Sequence, residues 1–160
     1  MDYLWSPWRY EYVTAARPRS ACIFCEYAGS NNDQENLVVY RGQRNFILLN
    51  RFPYTSGHVM IAPYEHVDRL EAAARETLEE LILLSREAER HLRAIYRPSG
   101  LNLGMNLGES AGAGIAGHLH MHVLPRWVGD ASFITTVAET RILPEDLGET
   151  WRKLHQAFSQ

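Results

Sequence analysis

Residues 77–96 carry apolar side chains at helical spacing, with Leu78, Leu81, Ile82, Ala88, Leu92 and Ile95 on one stripe and mostly Glu and Arg between them. This predicts a long amphipathic helix. Thr77-Leu78-Glu79-Glu80 reads as a capping box at its start, and Pro98 and Gly100 stop it. Elsewhere the runs are short. Residues 37–40, 45–50 and 59–63 read as strands, with turns at 41–43 and 53–57, and residues 101–106 as another. From His118 to Val123, histidine alternates with Leu119, Met121 and Val123, the period of a half-buried strand. Residues 144–158 read as a second helix with Leu147, Trp151, Leu154 and Phe158 on one face. The expected class is α+β: an antiparallel sheet of about five strands, one long covering helix and a C-terminal helix.

The alternation puts His118, His120 and His122 on one strand face, neighbours about 6.5–7 Å apart. One metal ion bound by all three is a poor fit. The outer pair would lie about 13 Å apart, whereas zinc–nitrogen bonds are about 2.0–2.1 Å. Separate tasks along one reaction axis fit better. A neutral imidazole whose other nitrogen is held by a carbonyl is a good nucleophile towards phosphorus. His120, with a partner on either side, takes that task. His122 then holds the leaving oxygen, and His118 orients its neighbours. Upstream, residues 106–117 form a loop of small residues with four glycines, suited to a charged ligand approaching the backbone. Its N–H groups suit a phosphate cradle.

At 160 residues, the chain suits one domain with a real core. A net charge of −3 argues against a general nucleic-acid surface. No run of 18 apolar residues occurs, so no membrane span is read. The start lacks a basic, then apolar, leader, and a cytoplasmic protein is expected. Residues 1–21 are rich in aromatic and basic side chains and read as an arm packed on the domain or on a second subunit. Cys22-Ile23-Phe24-Cys25 is the chain's one C-x-x-C. It reads as half a metal site, a redox pair or two reduced cysteines. Asn50 alone reads as a turn cap, His58 as a core histidine, and His91 as uninformative.

His118 to Leu124, histidine and apolar residues alternating, resembles the motif of the histidine triad family. Residues 50–58 resemble the ribose-binding strand end and turn of fragile-histidine-triad hydrolases, and Asn106 to Gly112 their phosphate loop. Leu4 to Arg9, His118 to Trp127, Gly129-Asp130 and Phe133-Ile134 are similar to mycobacterial-type diadenosine tetraphosphate phosphorylases. The resemblance covers roughly residues 4–134. It implies a single histidine-triad-like domain over 1–160, with 135–160 a C-terminal extension, and a homodimer. It implies cleavage of dinucleoside polyphosphates at the α-phosphorus, through a nucleotidyl-His120 intermediate, by hydrolysis or phosphorolysis. His118 and His122 assist. Leu48, Asn50, His58, Asn106 and Gly112 surround a small-molecule nucleotide. Some relatives hold a structural zinc, which maps here onto Cys22, Cys25, His66 and His118. The mycobacterial-type phosphorylases generally lack that knuckle, so the chain combines features of two branches. No catalytic metal or redox cofactor is implied. The hydrolases carry a glutamine where this chain has Asn106, and their loop is one residue shorter. The alternatives are a nucleoside phosphoramidase and a non-catalytic, zinc-containing nucleotide-sensing module.

Overall fold

The computed structural model describes residues 22–131 and 143–159. The expected arm (1–21) and Phe133-Ile134 lie outside the described residues, as do 135–142 of the C-terminal extension. The chain runs α1 (Ile23–Gly29), β1 (Val38–Arg41), β2 (Asn45–Leu49), β3 (Val59–Pro63), α2 (Arg75–Tyr96), β4 (Gly100–Met105), β5 (Met121–Arg126) and α3 (Leu147–Phe158). Short 3-10 turns at Leu70–Ala72 and Glu109–Ala111 punctuate the connections. The five strands form one antiparallel sheet in the order β1-β2-β3-β5-β4. This is the α+β arrangement expected.

β2 and β3 are buried along their whole length because the sheet is covered on both faces. On one face Ile47, Leu49, Val59, Ile61 and Val123 pack with Leu81, Ala88 and Leu92 of α2 and Leu154 of α3. On the other, Val38, Phe46, Leu48, Met60 and Ala62 pack with Phe24 of α1. The register aligns Leu48, Met60, His122 and Gly104 in one row across four strands. The second face therefore carries both an apolar floor and His122.

Three local expectations are corrected. The long helix begins at Arg75, and its N-cap is Ala74 with no side-chain cap. Thr77 is buried in the first turn, and Glu80 instead accepts the N–H groups of Gln43, Arg44 and Asn45 at 2.7–2.8 Å, closing the β1–β2 turn. The buried stripe runs through Leu81, Leu84, Ser85, Ala88 and Leu92, whereas Ile82 is 59% exposed. His91 is buried in that stripe and packs on Phe158 at 4.4 Å. Finally, the regular strand starts at Met121, not His118. The β3–β5 ladder stops at the Ile61–Met121 pair although β3 runs on to Pro63, and the Leu119 N–H turns to the Val67 carbonyl at 2.7 Å.

Helix α1, unforeseen from the pattern, is anchored by Arg41. Its guanidinium donates to the carbonyls of Tyr27, Ala28 and Ser30 and pairs with Asp33 at 2.7 Å. Four partners for one planar cation tie the end of α1 and its following loop to the sheet.

Candidate active site and metal cluster

The entry to β5 sets the three histidines on different errands. The His120 Nδ1 lies 2.8 Å from the His118 carbonyl oxygen. A carbonyl only accepts, so Nδ1 carries the proton and Nε2 keeps its lone pair. Burial pushes the His120 pKa down, against the bond to the His118 carbonyl, which favours the charged form. His120 is therefore neutral at physiological pH, with a bare nitrogen.

His122 is oriented from the other side. The Tyr54 N–H donates to His58 Nδ1 at 3.1 Å, so His58 carries its proton on Nε2. That Nε2 lies 2.9 Å from His122 Nδ1. His122 consequently accepts at Nδ1 and presents an N–H at Nε2. Its ring stands 4.9 Å from His120 at 74°. Burial, then the neighbouring His120, lower its pKa to about 4. The pair thus combines a bare nitrogen with a donor N–H, the two roles that displacement at phosphorus calls for.

His118 faces away from this pair. Its Nε2–H donates to the Pro63 carbonyl at 2.9 Å, which leaves Nδ1 bare. That atom lies 3.3 Å from Cys22 Sγ, 3.7 Å from Cys25 Sγ and 3.2 Å from His66 Nδ1, and Cys25 Sγ lies 3.2 Å from His66 Nδ1. The four donor atoms all fall within 4.8 Å of one another. Bonds of about 2.0–2.3 Å to a central ion in a tetrahedron need edges of that size. Burial, then the adjoining Cys22, raise the Cys25 thiol pKa. A bound cation would offset that and hold both sulfurs as thiolates. The residues fit a metal ion, and the Pro63 carbonyl orients His118 as a ligand in the usual outer-shell manner.

The other expected residues have distinct attachments of their own. Asn50 Oδ1 accepts the Phe52 N–H at 3.0 Å, the turn-capping geometry, and its Nδ2 lies 3.5 Å from His58 Nδ1. Leu48 is 1% exposed and backs the site from within the apolar cluster. Asn106 Nδ2 donates to the Gly112 carbonyl at 3.4 Å, bracing the loop across its own neck. Gly108 and Gly112 take φ of +87° and +90°, which a side chain would resist. The N–H groups of Ala111, Gly112 and Ala113 bond to carbonyls of the same loop. A phosphate cradle would draw on its remaining groups. Arg126 is committed to Asp130 and Asn102.

Two contributors were not read from the sequence. The Pro63 carbonyl is backbone, and no residue pattern announces it. Phe24, between the two cysteines, lies 5.1 Å from the His118 ring and 5.0 Å from the His120 ring. Its apolar character inside C-x-x-C was the available signal.

Comparison with known proteins finds relatives along most of the chain. The HIT domain matches residues 31–128. AP-4-A phosphorylase of Mycobacterium tuberculosis is 40% identical over 162 aligned residues, covering 96% of this chain and 83% of that protein. A Zn-bound histidine triad family protein from Mycobacterium smegmatis superposes with a TM-score of 0.69 at 27% identity, covering 88% of this chain and 94% of that one. A hypothetical histidine triad nucleotide-binding protein from Sulfolobus tokodaii gives a TM-score of 0.66 at 25% identity, over 86% of this chain and 92% of that one. A matched domain spanning most of the chain, with triad histidines in three oriented states, shows that the chain belongs to the HIT, or histidine triad, family.

Proposed function

We propose that this protein cleaves dinucleoside polyphosphates of the diadenosine tetraphosphate kind at the α-phosphorus. The observation that carries the reading is the His120 Nδ1–H bond to the His118 carbonyl, which leaves Nε2 as nucleophile. Nε2 attacks the α-phosphorus in line, the bond to the bridging oxygen breaks, and a nucleotidyl-His120 intermediate forms. The Nδ1–H stays on its carbonyl, which stabilises the ring as it gains positive charge. The His122 Nε2–H donates to the departing oxygen. Water or inorganic phosphate then attacks the same phosphorus and restores His120. Asn50, Leu48, Asn106 and Gly112 are the residues we assign to nucleotide and phosphate binding around that pair, and His58 serves the same site by orienting His122.

The same reading takes all 160 residues as a single domain and a cytoplasmic homodimer. No helix among the described residues is long and apolar enough to cross a membrane. Zinc is the ion that a Cys2His2 set favours. Four protein donors complete a tetrahedron and leave no position for substrate, so its role would be structural.

Turnover of diadenosine tetraphosphate by wild type and His120→Ala, with and without inorganic phosphate, tests the proposal by ion-exchange separation of products. ADP beside ATP, only with phosphate and only from wild type, identifies phosphorolysis. AMP beside ATP regardless of phosphate identifies hydrolysis. No turnover by wild type overturns the reading and turns attention to nucleoside phosphoramidates.

A further inference from the structure

The helix that carries the two cysteines also carries Phe24, which the proposed chemistry leaves unused. Phe24 is fully buried. Its ring is inclined at 49° to His118 and 36° to His120, at centroid distances of 5.1 and 5.0 Å. Behind it stand Val38, Phe46, Leu48 and Met60 of the sheet. On either side in sequence stand ligand candidates Cys22 and Cys25, whose sulfurs lie 3.3 and 3.7 Å from His118 Nδ1.

One hydrogen bond fixes one point of an imidazole. His120 could keep its Nδ1–H on the His118 carbonyl and still swing Nε2 off the line of attack. A flat ring packed on one side removes that freedom, provided the ring cannot move. The sheet blocks Phe24 from one direction, and a bridge from α1 to His66 and His118 would block it from the others. His118 then serves twice, with its side chain in the cluster and its carbonyl on the nucleophile.

We propose that Phe24 is a positioning residue that holds the His120 imidazole plane, and that metal occupancy of the Cys22, Cys25, His66 and His118 cluster sets how firmly it does so. The proposal rests on His120 being the nucleophile. Misplacing a reacting atom by about 1 Å costs on the order of 100-fold in rate, whereas contacts that bind the nucleotide are untouched by a tilt of this ring.

The test uses Phe24→Leu, which keeps most of the apolar volume and removes the plane. Three readouts are compared with wild type: bound zinc per chain, the kcat–KM split, and the imidazole 15N–1H spectrum at one fixed pH. The expected variant keeps its zinc and a KM within about twofold, and loses roughly 10- to 100-fold in kcat. In zinc-loaded wild type the His120 Nδ1–H gives a sharp resonance. It broadens or vanishes in Phe24→Leu and in wild type stripped of metal, and returns when zinc is restored. Wild-type kcat with an unchanged resonance in Phe24→Leu overturns the proposal. So does a raised KM at constant kcat, which makes Phe24 a wall of the nucleotide pocket. A resonance that stays sharp in folded, metal-free wild type overturns the link to the cluster. The spectrum needs no substrate, so it decides the positioning claim even where diadenosine tetraphosphate is not turned over. The metal-cycled wild type keeps the test alive if Phe24→Leu does not fold.

Discussion

His58 Nε2 stands 2.9 Å from His122 Nδ1, and the Tyr54 N–H on the far side of His58 dictates which of the two donates. The proton of His122 is thereby fixed on Nε2. A backbone amide sets a tautomer two imidazoles away. A carboxylate would pull His122 towards the charged state. A neutral donor orients it and leaves it neutral.

His58→Gln is expected to keep the fold and to lower kcat by roughly 10- to 100-fold, the usual loss when a partner that orients a functional histidine is removed. KM should change little, because the altered hydrogen bond serves the departing oxygen rather than the bound ground state. Steady-state kinetics on diadenosine tetraphosphate checks this. A kcat within twofold of wild type would show that His122 finds its tautomer without His58.

Glu80 concerns stability alone. Its carboxylate accepts three consecutive backbone N–H groups, from Gln43, Arg44 and Asn45, and the Asn45 side chain at 2.8 Å. Burial raises its pKa, but the bonds from Asn45, Gln43 and Arg44 together outweigh that and the net shift is downward. Its contribution is fully present above the ordinary glutamate range and is lost as pH falls through the lowered value. Glu80→Ala leaves those donors without their acceptor and should cost about 2–4 kcal/mol. Urea denaturation at neutral pH measures it, and activity per folded molecule should not change. A loss below about 0.5 kcal/mol, the scale of an ordinary surface change, would mean that water replaces the carboxylate at no cost.

The same residue shows where sequence reading ends. Thr77 and Glu80 have the spacing of a capping box, and the pattern carries no sign that Glu80 reaches a turn more than thirty residues earlier. The sheet was legible because strand period two and short turns are local signals. The triad was legible because histidine alternates with apolar residues at that period, although the regular strand takes up only its last histidine. The helix holding Cys22 and Cys25 was not: seven residues are too few for a stripe. Ile82 fits a helical stripe by spacing yet faces outward, because the packed side is centred on Leu84 and Ala88. The carbonyls of His118 and Pro63, which fix two tautomers, belong to the backbone and have no letter in a sequence.

Neutrality of His122 sets the pH behaviour of the first chemical step. Burial, then His120, hold its pKa at about 4, against an ordinary 6.5. A histidine lowered in the folded state binds fewer protons there than in the unfolded chain, so stability is complete above 6.5 and declines as pH falls through about 4. Activity follows the folded value. The internal phosphates of a dinucleoside polyphosphate include no terminal group that titrates near neutrality, so kcat/KM for that substrate reports the free enzyme. It should stay level from neutral pH down to about 5 and fall only below that. Initial rates at low substrate across this range, corrected for folded protein by circular dichroism, test the expectation. A break at 6–6.5 while the fold is intact would mean that burial does not hold the His120–His122 pair neutral.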